Sequence, residues 1–502
     1  MRKKRTTLWT VLPLVLLLIV LSGCQSVGSL DIQKAMVSNL DVQSIESNQT
    51  LSVHLTPASS ASAQNVMIAE VLNNSKLIID HAKMESPSEM SLTGAVEYVG
   101  QRLPFHLYMN NDGVTIDLEG AKQPIYISYS LYEQATGLSG VGFNFAAVQE
   151  QQREFTKVVA SFLFKHLPNP SNIAVDSVST DVYGETLDLT RLHTELDGKE
   201  VLELVKPFLT SMTADEQGIK DLIGAFYDYY APIIAQSSAD SESSAASMFG
   251  DRDTFVQDGY TSVKETLDEV LKEYDQNIAD LKQDESFNTV FGPETRVTAD
   301  VYFDSDLHAR KQNLDVTIAL PADGSLDYTS INIHTESDAW NINGSVTAEP
   351  VDVSGGTLNI SENTTPGTIL RNFDSSSPIF KLLNLADISR KTVYIGDYSD
   401  YDDIIVRNKI SYIPAKDLAE ALDAKMQWNA STKQLSFTDD ITGAVTVLKV
   451  NSKQATVDGQ AKTLPANVIQ VKGKTYVPVR AVAGFLGATV TSSYGDIVIE
   501  RK

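Results

Sequence analysis

Ser411-Tyr412-Ile413-Pro414-Ala415-Lys416-Asp417-Leu418 returns 64 positions later as Thr475-Tyr476-Val477-Pro478-Val479-Arg480-Ala481-Val482, and the correspondence runs on through Asp423-Ala424 and Gly487-Ala488. Each copy reads as a strand, a proline, one short amphipathic helix and a second strand; Leu435-Ser436-Phe437 and Ile497-Val498-Ile499 close the two copies. Proline suits the first helical turn, where its missing N–H would have had no partner. Gly487 suits a helix C-terminus that must turn left-handed. The pattern predicts a small α+β domain of two strand-helix-strand repeats, at about 408–437 and 472–499.

Before the repeat, residues 349–391 change character. Ser354-Gly355-Gly356, Thr364-Thr365-Pro366-Gly367 and Ser375-Ser376-Ser377-Pro378 mark a linker with a short helical piece at Ile379–Leu385. Residues 31–348 carry the larger domain. Amphipathic helices are expected at Asp31–Leu40 and Gln64–Leu72. Period-two strands then follow at Lys76–His81, Met90–Val99, Leu103–Met109, Val114–Leu118 and Ile125–Tyr129, with a hairpin turn at Asn111-Asp112-Gly113. A helix over Ala146–Leu167, two strands near 174–196 and a helix from Lys199 come next. Thr213 and Glu216 form a capping box for a helix that Pro232 stops.

The longest helix, Thr254–Leu281, spaces Val256, Tyr260, Val263, Leu267, Val270 and Tyr274 by threes and fours. That stripe reads as a coiled-coil seam or as a face packed on the sheet, and the second is preferred. Strands return at Val297–Phe303, Leu314–Leu320, Tyr328–His334 and Trp340–Val346. The fold class is therefore α+β: an N-terminal antiparallel, half-barrel-like sheet packed with helices, plus the small C-terminal repeat domain.

The chain opens with Arg2, Lys3, Lys4 and Arg5 and an apolar run from Leu8 to Leu21. That run is too short for the roughly 20 residues a membrane-spanning helix needs. It reads as a signal segment, 1–23, with a polar tether over 24–30. Leu21-Ser22-Gly23-Cys24 resembles a bacterial lipobox. The resemblance implies cleavage before Cys24, lipidation of the Cys24 thiol and a membrane partner held through a diacylglyceryl cysteine on the extracytoplasmic face. Cys24 is the single cysteine in the chain, so disulfides and multi-cysteine metal sites are excluded. Losing the four leading basic residues takes the formal net charge from −25 to −29. Such a chain repels nucleic acid, and no nucleic-acid partner is expected.

The C-terminal repeat also resembles the copper amine oxidase N-terminal-like, or stalk, domain, over about residues 392–502. The second copy, with Val457-Asp458-Gly459-Gln460 and Leu464-Pro465-Ala466 before it, carries the likeness best. The first copy departs at Lys416, where arginine is usual, and at Asp423, where glycine is usual. The second departs at Ser492, where an aromatic is common; Trp428 keeps that place in the first. The resemblance implies an accessory module remote from copper and quinone. Amine oxidation needs three histidine ligands and an Asn-Tyr-Asp/Glu context, but the chain has no Asn-Tyr pair and its seven histidines are scattered. The element order of residues 31–348, with the anchor, resembles the LolA-like half-barrel of envelope lipoproteins, some of which carry lipid.

No catalytic, cofactor or metal residue is nominated. Gly137–Gly142 has the wrong spacing for a dinucleotide site and reads as a loop. Asp304, Asp306 and His308 could clasp a cation but read better as a solvated strand edge. Asp397, Asp400, Asp402 and Asp403 read as a solvated turn rather than a Ca²⁺ site, and Arg480 as a structural ion pair or cap. The function expected is a non-catalytic, membrane-anchored lipoprotein that binds or senses an envelope component, a cell-wall polymer or a lipid, with a C-terminal adhesive or spacer module. Lipid or amphiphile carriage in an apolar cavity is the alternative. A wall hydrolase is the third reading, for which no residues stand out.

Overall fold

Apolar residues at every second position force one side of a strand inward and leave the other wet, and that pattern builds most of the larger unit. The computed structural model describes residues 26–28, 30–131, 145–237, 250–324, 326–396, 403–493 and 496–501. The segment expected to be a signal, Cys24, the loop expected at 137–142 and most of the serine-rich stretch at 237–247 lie outside them. The described residues divide into two compact units, one comprising those up to 118 and from 126 to 352, the other those from 119 to 125 and from 353 onward.

The larger unit is an antiparallel half-barrel. Its strands are β1 (Ile45–Pro57), β2 (Ser75–Ser86), β3 (Glu89–Tyr98), β4 (Gln101–Met109), β5 (Gly113–Leu118), β6 (Ile125–Ser128), β7 (Asn172–Val182), β8 (Glu185–Asp197), β9 (Arg296–Phe303), β10 (Ala309–Ala319) and β11 (Tyr328–Trp340). They are ordered β6-β5-β4-β3-β2-β1-β11-β10-β9-β8-β7. β1 was not expected from the sequence, yet it joins the early meander to the late strands by pairing with β11 from Glu46↔Trp340 to Pro57↔Tyr328. Its alternation is clean only at Leu51, Val53 and Leu55; Ser47 and Gln49 hold the same phase with polar side chains and blur it. The strand expected at 340–346 is absent. Asn341 and Asn343 adopt φ of 48° and 55°, and that left-handed turn ends β11.

The helices of this unit are α1 (Ile32–Ser38), α2 (Ala63–Asn73), α3 (Phe145–His166), α4 (Gly198–Thr213), α5 (Glu216–Ser237), α6 (Arg252–Leu281) and α7 (Glu285–Val290). Asp31, Ser62, Asp197 and Asp251 cap α1, α2, α4 and α6 with side-chain oxygens. Three expectations need correction. Asp215, not Thr213, caps α5, accepting from Gly218 N at 3.1 Å, while the Thr213 hydroxyl donates back to Leu209 O. Pro232 does not stop α5: the helix continues to Ser237 with one i→i−4 bond lost. And α6 packs on α4 and α5 rather than on the sheet. Tyr274 donates to Leu202 O, Lys206 pairs with Asp275, and Gly259 lets Ile223 approach closely.

In the smaller unit, residues 353–391 are more than a linker. They form β12 (Leu358–Asn359), α8 (Pro366–Leu370) and α9 (Pro378–Leu385). Thr365 and Ser377 cap the two helices. Asp440, 4% exposed, accepts from Gly367 N at 2.9 Å and Arg371 Nη2 at 3.0 Å, and Leu370 and Phe373 are buried.

The repeats follow as β13 (Lys391–Ile395), β14 (Ile405–Arg407), β15 (Ile410–Pro414), α10 (Ala415–Ala421), β16 (Lys425–Asn429), β17 (Gln434–Thr438), β18 (Val445–Lys449), β19 (Gln454–Val457), β20 (Gln460–Thr463), β21 (Ile469–Val471), β22 (Lys474–Pro478), α11 (Val479–Phe485), β23 (Ala488–Ser493) and β24 (Asp496–Arg501). Equivalent strands of the two copies pair with each other about a local twofold: Tyr412↔Pro478, Ile413↔Val477 and Pro414↔Tyr476. Both copies bury their helix and strand faces in one core that includes Ile413, Leu418, Phe437, Val477, Val482 and Ile499. Arg501, 4% exposed, donates to Leu422 O at 2.7 Å and lies 3.6 Å from both Asp423 and Asp439.

Candidate functional site

The half-barrel and its helices do not close completely. Between α1, α3 and the inner face of β9 and β10 lies a cavity of ≈ 440 Å³. One wall is Met36, Asn39 and Leu40, from α1 and the 3-10 turn after it. A second is the α3 face Phe155, Val159, Ala160, Leu163 and Phe164, part of the apolar face that the sequence places on this helix. Val301, Phe303 and Ala309 form the floor. A bulge between Ala309 and Lys311 shifts the β10 register, so that Ala309 and Gln312 both reach the cavity face.

Its polarity is confined. None of the lining residues is ionisable. Asn39 is spent on the protein: its amide donates to Ala35 O and Leu307 O and accepts from Ala309 N. Thr156 and Gln312 are exposed and stand at the rim. Beside Thr156, Lys157 is held by Asp41 and Glu154, which raise its pKa by hydrogen bonding to the ammonium. Phe155 continues outward into an aromatic group, stacking on Tyr229 at 5.3 Å. This is the form of a small-molecule site: concave, mostly apolar, with a few neutral hydrogen-bonding groups at one end. Periodicity identified the α3 wall, but Asn39 and Gln312 carried no signal in the sequence. Their place depends on the β10 bulge and on α1 docking beside it.

The residues weighed from the sequence fall elsewhere. Asp304, Asp306 and His308 lie in the β9–β10 turn, not along a strand edge, and their ligand atoms come within 4.8 Å of one another. There Asp304 Oδ1 accepts from the backbone of Asp306 and His308, and Oδ2 lies 3.5 Å from Arg310 Nη1, so the carboxylate serves the turn. Of the acidic group at 397–403 only Asp403 lies within the described residues. It pairs with Lys474 at 2.9 Å, which holds its carboxyl below the usual range. Arg480 is exposed and makes no ion pair among the described residues, contrary to expectation. Cys24 lies outside them.

One polar cluster was missed in the sequence. His166, buried at the end of α3, places Nε2 2.9 Å from Asp215 Oδ2 and Nδ1 2.8 Å from Ser211 Oγ. Asp215 also takes Lys165 Nζ at 2.6 Å and the Gly218 backbone. Chiefly through Lys165, these donors lower its carboxyl to about 2 against the opposing effect of burial. With the carboxylate consumed by capping and a lysine, the cluster fastens three helix ends together.

Residues 398–499 match the family model of the copper amine oxidase N-terminal domain. The match covers the repeat module alone, about a fifth of the chain. No curated protein matches the chain.

Proposed function

We propose that this chain is a non-catalytic binding protein, lipid-anchored through Cys24 on the extracytoplasmic face of a bacterial membrane, whose half-barrel holds the apolar part of an envelope amphiphile. The cavity between α1, α3 and the sheet is the observation that carries this reading. Its ≈ 440 Å³ falls within the range of about 300–1,000 Å³ usual for small-molecule sites, and its lining gives a tail nothing to bond to. The repeat module, of a kind that is non-catalytic in copper amine oxidases, acts in this reading as an adhesive or spacer element.

The test is native mass spectrometry of residues 25–502, followed by organic extraction of what co-purifies. The smaller unit is kept whole because residues 353–391 fold with the repeats. A stoichiometric amphiphile, lost in Val159→Trp, is expected. An apo mass that persists after incubation with envelope lipid extract would sink the reading.

A further inference from the structure

The cavity opens onto a strip of the sheet whose chemistry selects the ligand's head. Cross-strand partners share a face, and the registers Val301↔Gln312, Gln312↔Ser337 and Ser337↔Gln49 carry one row from the cavity floor across β10 and β11 to β1. The next row adds Leu314↔Thr335 and Thr335↔Leu51. Thr335 is tied to the first row, because Gln49 Nε2 donates to its hydroxyl at 3.0 Å. Gln312 and Gln49 are exposed, and Ser337 and Thr335 are half-buried, so the strip is accessible.

The polar groups of the two rows, Gln312, Ser337, Gln49 and Thr335, are all neutral hydroxyls or amides. Lys311, Asp338 and Glu336 of the same strands alternate out of phase with the Gln312 row, and Arg310, at the β10 bulge, is engaged by Ala339 O and the Asp304 carboxylate. The ammonium beside the rim, Lys157, is already neutralised by Asp41 and Glu154.

Building on the proposed amphiphile site, we infer that its ligand has a single apolar tail in the cavity and an uncharged, hydroxyl-rich head, of glycerol or sugar type, laid along Gln312, Ser337, Thr335 and Gln49. Amides and hydroxyls both donate and accept, which matches a head that does the same. A carboxylate or phosphate head would lose water on this strip without meeting an opposite charge. It would also approach a chain whose net charge goes from −25 to −29 without its four leading basic residues.

The experiment titrates residues 25–502 with lauroyl glycerol, lauryl glucoside, laurate, lauryl phosphate and laurylamine, which share one tail length, by calorimetry below their micellar concentrations. The two neutral ligands are expected to bind at least about tenfold tighter than the anions and the amine (~1.4 kcal/mol). Gln312→Lys should raise laurate affinity and Gln312→Glu lower it, about severalfold each, and both should weaken lauroyl glycerol, whose head loses the Gln312 amide. Equal affinity for all heads, or tighter binding of a charged one, overturns the head-group inference while leaving the cavity in place. Failure of every probe to bind, with no difference from Val159→Trp, overturns the cavity reading itself.

Discussion

The repeat module and the half-barrel bury their apolar residues in different ways. In the module, the faces of both copies meet in one continuous core, and Leu418, Phe437, Val477 and Val482 are wholly enclosed. In the half-barrel, burial is divided among separate clusters. One surrounds Val297 and Ile318, another Ile32 and Phe303, and a third Phe164 and Phe208. The cavity lies where the second and third approach without merging, since Phe303, Met36 and Phe164 all line it. A twofold repeat closes on itself because equivalent strands pair and each helix covers that pairing. A long curved sheet covered by unlike helices leaves a gap, and here the gap is mostly apolar.

The largest expected effect tests that contrast. Phe437→Ala should cost the module about 3–5 kcal/mol, since a fully enclosed aromatic leaves a void that cannot collapse. Val159→Ala, in the wall of an existing cavity, should cost no more than about 1 kcal/mol. Denaturant melts of the full chain measure both, and comparable losses would erase the distinction between a closed core and an open one.

Next in size is the helix junction of the half-barrel. The Asp215 carboxyl lies at about 2 when folded, below its ordinary value of 3.8, so the ionised form favours folding. The contribution, on the order of 2 kcal/mol, is present above about pH 4 and is lost as pH falls toward 2. Asp215→Asn should therefore lower stability at neutral pH, and the gap from the unaltered chain should narrow over that acid window. Asn still caps the helix, so a gap that stays constant with pH would show that the loss is not electrostatic.

The smallest effects distinguish the two copies. Asp423 and Gly487 occupy equivalent helix ends, with φ of 52° and 73°. Nothing lies within 4 Å of a Cβ at Gly487, so Gly487→Ala isolates the left-handed backbone cost, about 1 kcal/mol. Asp423 accepts that conformation and uses its carboxylate on Lys391 at 2.7 Å and Arg501 at 3.6 Å. Asp423→Gly should relieve the backbone while losing both partners, and Asp423→Ala should be the less stable of the two by roughly 1 kcal/mol. Thermal melts rank them, and the reverse order would mean that the left-handed backbone carries no cost at this turn.

Much of this architecture was legible in the chain. The constant spacing from Tyr412 to Tyr476 implied the two-copy module, and the three-and-four spacing of Val256 to Tyr274 implied α6. At Asp423 the first copy departs from the glycine usual in the family it resembles. The structure accounts for it as a left-handed residue with two cationic neighbours distant in sequence. β1 was hidden because Ser47 and Gln49 occupy the sheet face shared with Leu51 and Leu55, where periodicity expects apolar residues. The same two-faced alternation made the polar strip beside the cavity invisible until the strands were paired.

Periodicity, prolines and glycines are local, and they determined the elements, the α+β class and the repeat from the sequence alone. Which elements meet is set by contacts between residues hundreds of positions apart. Only the tertiary structure could therefore decide that α6 rests on helices, that residues 353–391 fold with the repeats, and that Asn39 and Gln312 border one cavity. The bulge at Arg310 and the β1–β11 pairing are the physical reason: each changes which side chains share a face without leaving any periodic trace in the chain.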